Sequence, residues 1–300
     1  MPSVTRREML QSLTAASAWV AVTGAAPGGF RILDSHAHVW KHSREFPFAP
    51  GAKIPDADAT PEMLIELMKR NGVEKTVLIQ VTYYGYDNSY LAAALQQYPQ
   101  YFKGVCWVDP EDAASPDRLE RLSVEQGFRG LRFRPTADAG GDWVRGPLMV
   151  PLWKRCADLK LPITVVAPIS RMPDIARLLD MFPGQTVIID HMADCPVDRP
   201  AELDKLIALA RYPNVFVKIS HAWSLSTQSY PWMDSQLLVR RLYDTFGPRR
   251  LMWASDWPIA TDRGSYAQRL SMTRDDMSFL NAEDKSWLLG RTLERVWRFD

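Results

Sequence analysis

The chain is predicted to fold as a (β/α)8 barrel, on three observations. Eight short apolar or β-branched runs alternate with amphipathic segments over residues 27–300. That length suits one large domain. No glycine-rich phosphate loop follows any of the runs, which counts against the alternative, a doubly wound open sheet.

Residues 1–26 differ in kind from the rest. Thr5-Arg6-Arg7-Glu8-Met9-Leu10-Gln11 matches the twin-arginine export pattern, with Met9 in the aromatic position. A weakly apolar stretch from Leu13 to Val22 follows, then the small residues Thr23-Gly24-Ala25-Ala26. Cutting after Ala25 is preferred, because cutting after Ala26 would leave Pro27 at the new terminus. The expectation is a signal peptide over 1–26, recognised by the twin-arginine export machinery, and a barrel over 27–300 that works in the periplasm or outside the cell. A frayed N-terminal helix is the alternative. No later stretch reaches the roughly 18 uncharged apolar residues that a membrane span requires.

Strand one, Ile32 to His38, begins apolar and ends in His36-Ala37-His38. The period of two in a strand puts both imidazoles on one side. The helical segment Thr60 to Arg70 opens with Thr60-Pro61-Glu62, proline standing at the first helical position. Strand two is Lys75 to Val81 and strand three Phe102 to Asp109; Ser115-Pro116-Asp117 repeats the start signal for a helix over Pro116 to Glu125. Strand four, Gly130 to Arg134, leads to Leu152–Leu159, and strand five, Ile163 to Ala167, to Asp174–Met181. Strand six, Thr186 to His191, leads to Ala201–Arg211, and strand seven, Val215 to Ser220, to Ser235–Phe246. After strand eight, Leu251 to Asp256, a C-terminal helix carries Trp287, Leu288, Leu293, Val296 and Trp297, enough apolar surface to pack on the barrel or on a second subunit.

Lys plus Arg (36) nearly cancel Asp plus Glu (35), which leaves no basic face for nucleic acid. Cys106, Cys156 and Cys195 are far apart and odd in number, so they form neither a disulfide framework nor a zinc cluster and are expected in the core.

In a barrel the reactive groups stand where strands end, at the C-terminal face. Strand one ends in His36 and His38, strand four in Arg132 and Arg134, strand six in Asp190-His191, strand seven in His221 and strand eight in Ser255-Asp256. Buried ionisable groups are costly unless paired, so this many at one rim mark a site.

These motifs resemble the amidohydrolase superfamily, and within it the amidohydrolase-2 branch of lactone-hydrolysing barrels. The resemblance is carried by Leu33-Asp34-Ser35-His36-Ala37-His38, Phe46-Pro47-Phe48-Ala49-Pro50-Gly51-Ala52, Tyr84-Gly85-Tyr86-Asp87-Asn88, Gly130-Leu131-Arg132-Phe133, Ile189-Asp190-His191-Met192 and Trp253-Ala254-Ser255-Asp256-Trp257-Pro258. The second and third are similar to the 2-pyrone-4,6-dicarboxylate lactonases and their galactarolactone-isomerase relatives. The resemblance implies a hydrolase of lactones or related esters, with Asp256 accepting a proton from water and His36, His38 and His191 around the carbonyl. Substrate contacts are expected from Thr82, Tyr84, Asn88, Arg132, His221, Trp223 and Trp257, and Tyr83 is expected near the pocket.

Members of the superfamily with a full metal site have a lysine or histidine at the end of strand five, where this chain has Val166. No cofactor is therefore favoured; a single divalent metal, zinc or manganese, would take His36, His38 and Asp256. The dicarboxylate lactonases also carry an arginine where this chain has Asp194, an arginine after strand seven where it has His221-Ala222-Trp223, and a tyrosine where it has Ile54. The expected substrate is a more neutral, partly apolar lactone or ester. The alternatives are a metal-dependent amide hydrolase or nonoxidative decarboxylase of the same superfamily, and a non-catalytic periplasmic binding barrel. Decarboxylases generally have a further histidine in mid-chain, and none lies between His42 and His191.

Overall fold

The computed structural model describes residues 29–134 and 149–299. The expected leader therefore lies outside the described residues. Eight parallel strands follow one another around a single sheet in chain order: β1 Ile32–Ala37, β2 Val73–Ile79, β3 Phe102–Trp107, β4 Leu131–Phe133, β5 Ile163–Val165, β6 Val187–Ile189, β7 Val215–Lys218 and β8 Leu251–Met252. Beyond its last paired residue, β8 returns to β1 and nearly closes the ring. Ser35 N donates to Trp253 O (3.3 Å), Asp256 N to His36 O (2.8 Å) and His38 N to Trp257 O (2.7 Å). These closing bonds run through the two motifs that carry the site.

Helices cover the outside, among them α1 Pro61–Asn71, α2 Ser89–Gln97, α3 Ser115–Glu125, α4 Met149–Leu159, α5 Met172–Met181, α6 Asp204–Ile207, α7 Ala222–Leu225, α8 Met233–Phe246, α9 Tyr266–Ser271, α10 Ala282–Ser286 and α11 Thr292–Trp297. Local chemistry sets their ends. Thr60 caps α1 by accepting from Met63 N, Pro61 opens it, and Gly72 ends it at φ 70°. The expected helix over Ala201–Arg211 is α6 flanked by two tight 3-10 turns.

The core has two compartments. The larger lies between sheet and helices. The smaller fills the barrel interior with Leu33, Val77, Ile79, Val105, Ile188, Phe216 and Met252, and is sealed by Leu293, Trp297 and Phe299 from the C-terminus. The last helix thus packs on the barrel: Trp297 donates through Nε1 to Arg129 O (3.0 Å). The approach is close enough that a Cβ on Gly290 would stand 2.3 Å from the Arg31 carbonyl oxygen, so only glycine fits there. All three cysteines are unbridged and buried, as expected. Among the described residues, no helix is long and apolar enough to cross a membrane.

Candidate active site

At the C-terminal ends of β6, β7 and β8 the chain leaves ordinary backbone space. His191, Met192, Ala193 and Asp194 have φ of 55°, 53°, 54° and 47°, His221 has 64° and Asp256 has 49°. A left-handed conformation costs a residue with a Cβ about 1–2 kcal/mol, and such strain persists only where surrounding structure imposes it. Here it turns three site residues inward over the barrel mouth.

The groups converge tightly. His36 Nε2 lies 3.1 Å from His38 Nε2. Asp256 Oδ1 stands 3.4 Å from each of those nitrogens. Asp256 Oδ2 accepts from His221 Nε2 at 2.7 Å, and His221 Nδ1 donates to Asp194 Oδ1 at 2.9 Å. His191 stacks on His221 with centroids 3.6 Å apart, and its Nδ1 is 2.7 Å from Ser220 Oγ. His38 Nδ1 donates to the Ile79 carbonyl at 2.8 Å. Beneath His36, Lys218 Nζ is 3.3 Å from Nδ1 and 2.9 Å from Asp190 Oδ1. Lys218 is wholly buried; it shares the inward face of β7 with Phe216.

Charge in the site is unevenly distributed. Burial opposes a charge on His221, yet its hydrogen bonds to Asp194 and Asp256 push it up to about 10, so it is an imidazolium. Burial would raise the Asp256 carboxyl, but the hydrogen bond and positive charge of His221 outweigh it and hold the group well below its usual range. Burial, reinforced by the Lys218 charge, lowers His36 to about 3. His191 is held neutral by burial and by the neighbouring His221 charge. The cluster therefore holds the Asp256 carboxylate and two neutral imidazoles, His36 and His191.

A pH prediction follows from His221. Its folded-state value of about 10 lies above the ordinary 6.5, so its stabilising contribution is complete below about 6.5 and is lost as pH rises through about 10. The stability advantage of wild type over His221→Gln should shrink across that window in urea unfolding. An advantage that stays constant would contradict the ion pair.

A cavity of about 220 Å³ opens over these groups. Its polar wall includes Thr82, Arg132, Arg134, His191, Asp194, His221 and Asp256, and its apolar wall Val81, Tyr83, Val166 and Ile259, with His38 between them. Thr82, Arg132 and His221, expected to contact substrate, stand on that wall, and so does Tyr83. The catalytic candidate His36, fully buried, does not line it, and nor do four of the residues expected to contact substrate. The Tyr84 hydroxyl accepts from Lys41 N (3.0 Å) and donates to Lys41 O (3.1 Å), tying two loops together. Asn88 donates to the carbonyls of Tyr86 and Trp107 and accepts from Trp107 N, which clamps the end of β3. Trp223 is fully buried under the Arg269 guanidinium, 4.2 Å from its ring centroid, and Trp257 lies buried in the β1–β8 closure. Ile54 is exposed, outside the cavity lining.

Three residues were not anticipated. Lys218 and Ser220 continue the inward alternation after Phe216, and a lysine within an apolar run was the available signal. Arg269 donates to the carbonyls of Gly264, Ser255, Ile259 and Ala260. It gave no signal, since its partners are backbone atoms.

The geometry also suits a metal. His36, His38 and Asp256 offer two imidazole nitrogens and one carboxylate oxygen, mutually 3.1–3.4 Å apart. Donors about 2.0–2.2 Å from a tetrahedral ion are separated by about this much. Asp256 Oδ1 is buried and has no hydrogen-bond partner among the described residues, and the His38 ring is oriented from behind by Ile79. These residues can hold a divalent ion. Val166 contributes no further ligand, and the cationic His221 and Lys218 stand against added positive charge.

The amidohydrolase family model matches residues 33–299. An L-fucono-1,5-lactonase of Burkholderia ambifaria is 28% identical over 243 residues, 79% of this chain and 83% of that protein. A 2-pyrone-4,6-dicarboxylate hydrolase of Comamonas testosteroni is 26% identical over 238 residues, 75% of this chain and 76% of that one. Among solved structures, an amidohydrolase of Burkholderia multivorans with bound zinc superposes with a TM-score of 0.76 at 22% identity, covering 89% of this chain and 99% of that chain.

Proposed function

The chain belongs to the amidohydrolase family, and from that premise we propose that it is a lactonase, opening a cyclic ester with water. The observation that carries this reading is the Asp256 carboxylate: Oδ2 is held by His221, and Oδ1, buried and without a hydrogen-bond partner among the described residues, faces His36 and His38. A water beside Oδ1 loses its proton to that oxygen as its own oxygen bonds to the lactone carbonyl carbon. The carbonyl electron pair moves onto oxygen, where His36 and His191 stabilise it, with His38 accepting from His36 Nε2 and orienting that ring. Collapse re-forms the carbonyl and breaks the ring C–O bond, and the departing oxygen takes the proton back from Asp256. A lactone is an activated ester, so a weakly basic carboxylate suffices. A divalent ion on His36, His38 and Asp256 would instead polarise the carbonyl oxygen. That is the second reading, favoured by the donor spacing and opposed by the two neighbouring cations.

The substrate is a lactone that is neutral or bears one acidic group. Arg132 already donates to Gln80 O at 2.6 Å, and Asp194, where the dicarboxylate lactonases place an arginine, would repel a second carboxylate. The names of the relatives, a sugar lactonase and a dicarboxylate hydrolase, both support a lactone. We also propose export by the twin-arginine route. Changing Arg6 and Arg7 to lysine should strand the precursor in the cytoplasm, and unchanged export of that variant would refute the route.

The test is acid release from neutral, monoacidic and dicarboxylic lactones, followed with a pH indicator, with and without chelator. Turnover on the first two classes that survives the chelator is expected. No turnover on any lactone would leave a binding barrel, and turnover lost on chelation would establish the metal-dependent reading.

A further inference from the structure

We infer that Lys218 is a positioning residue: by donating to His36 Nδ1 it keeps the His36 proton on Nε2, so His36 presents a donor toward His38 and Asp256 and is a poor ligand for a divalent ion. This rests on the proposed role of His36 at the lactone carbonyl and explains how that role is enforced.

A lysine ammonium donates and cannot accept, and the backbone carbonyl of Ile79 accepts and cannot donate. Lys218 Nζ lies 3.3 Å from His36 Nδ1, so Nδ1 must accept and the ring proton must sit on Nε2. At the other end, His38 Nδ1 donates to Ile79 at 2.8 Å, which leaves His38 Nε2 as an acceptor. The two Nε2 atoms are 3.1 Å apart, so His36 donates to His38. Each donor in the chain Lys218, His36, His38, Ile79 then meets an acceptor. Placing the His36 proton on Nδ1 would break it twice, setting donor against donor at Lys218 and lone pair against lone pair at His38.

To bind an ion through Nε2, His36 must carry its proton on Nδ1. The acceptor available there is Asp190 Oδ1, at 3.6 Å, and Lys218 holds that oxygen at 2.9 Å. Lys218 sits in a closed position, fully buried with Trp297 beneath it, so water does not replace its ammonium. Lys218→Met removes the competing donor and keeps a side chain of similar length. Asp190 then becomes the partner of His36 Nδ1, a carboxylate–histidine arrangement that favours a metal on the opposite nitrogen.

The experiment uses metal-stripped protein. Long-range proton–nitrogen correlation spectra should find the His36 proton on Nε2 in wild type and on Nδ1 in Lys218→Met. Zinc titrated against a chromophoric chelator should bind the variant about 10-fold or more tighter than wild type. A lysine that only supported the fold would give the opposite result, because its loss would loosen the site and weaken zinc. A wild-type proton on Nδ1, or zinc binding unchanged or weakened in Lys218→Met, overturns the inference. If the variant does not fold, the wild-type spectrum decides. Failure of the protein to open any lactone would remove the proposed function and leave the measured tautomer standing.

Discussion

Asp256→Asn is expected to lower lactone opening by about 10²- to 10⁴-fold while the protein stays folded, the range over which a positioned base contributes. The amide keeps the size of the carboxylate, and its oxygen can still accept from His221, so the 2.7 Å contact survives. What is lost is the negative charge and the acceptor at Oδ1, 3.4 Å from His36 and His38. The proton of the attacking water then has no carboxylate to receive it. Steady-state rates on the best lactone measure the effect, with circular dichroism as the control for folding. A folded variant that keeps more than about a tenth of the wild-type rate would assign the base elsewhere.

Arg269→Met is expected to have the largest effect on stability, about 3–5 kcal/mol in urea unfolding. The guanidinium is fully buried and donates to four carbonyls, of Ser255 (2.7 Å), Ile259 (2.7 Å), Ala260 (2.6 Å) and Gly264 (2.9 Å). Those carbonyls belong to the loop after β8, in which Asp256 and Ala260 both hold a φ of 49°. Methionine fills part of the space and leaves the carbonyls buried without donors. Because the loop carries Asp256, turnover should fall as well. A loss below about 1 kcal/mol would mean that water or a rearranged loop replaces the guanidinium.

The barrel was legible because the strands begin as apolar runs and helices such as α1 and α3 announce their starts with a proline in the first turn. The expected first strand, Ile32 to His38, differs from the observed one by a single residue. α2, α7 and α9 went unassigned. α2 has no side-chain cap at Asn88, whereas α9 opens on a capping box formed by Ser265 and Gln268, a spacing that was there to be seen. The converging histidines and Asp256 were legible from strand ends. The direction of the aromatics was not: Tyr84, Trp223 and Trp257 have bodies that suit core and pocket equally, and only tertiary packing turned them away from the cavity. The left-handed turn at His191-Met192-Ala193-Asp194 was equally hidden, since none of these residues is glycine or asparagine and the conformation is imposed by the surrounding fold.

The central claim is that the Asp256 and histidine centre opens a lactone without a metal ion. It is tested most directly by measuring turnover per mole of protein alongside metal content, across preparations from fully stripped to zinc-loaded. The expected rate is undiminished in stripped protein and does not rise with zinc occupancy. A rate that vanishes on stripping and climbs in proportion to bound zinc would contradict it.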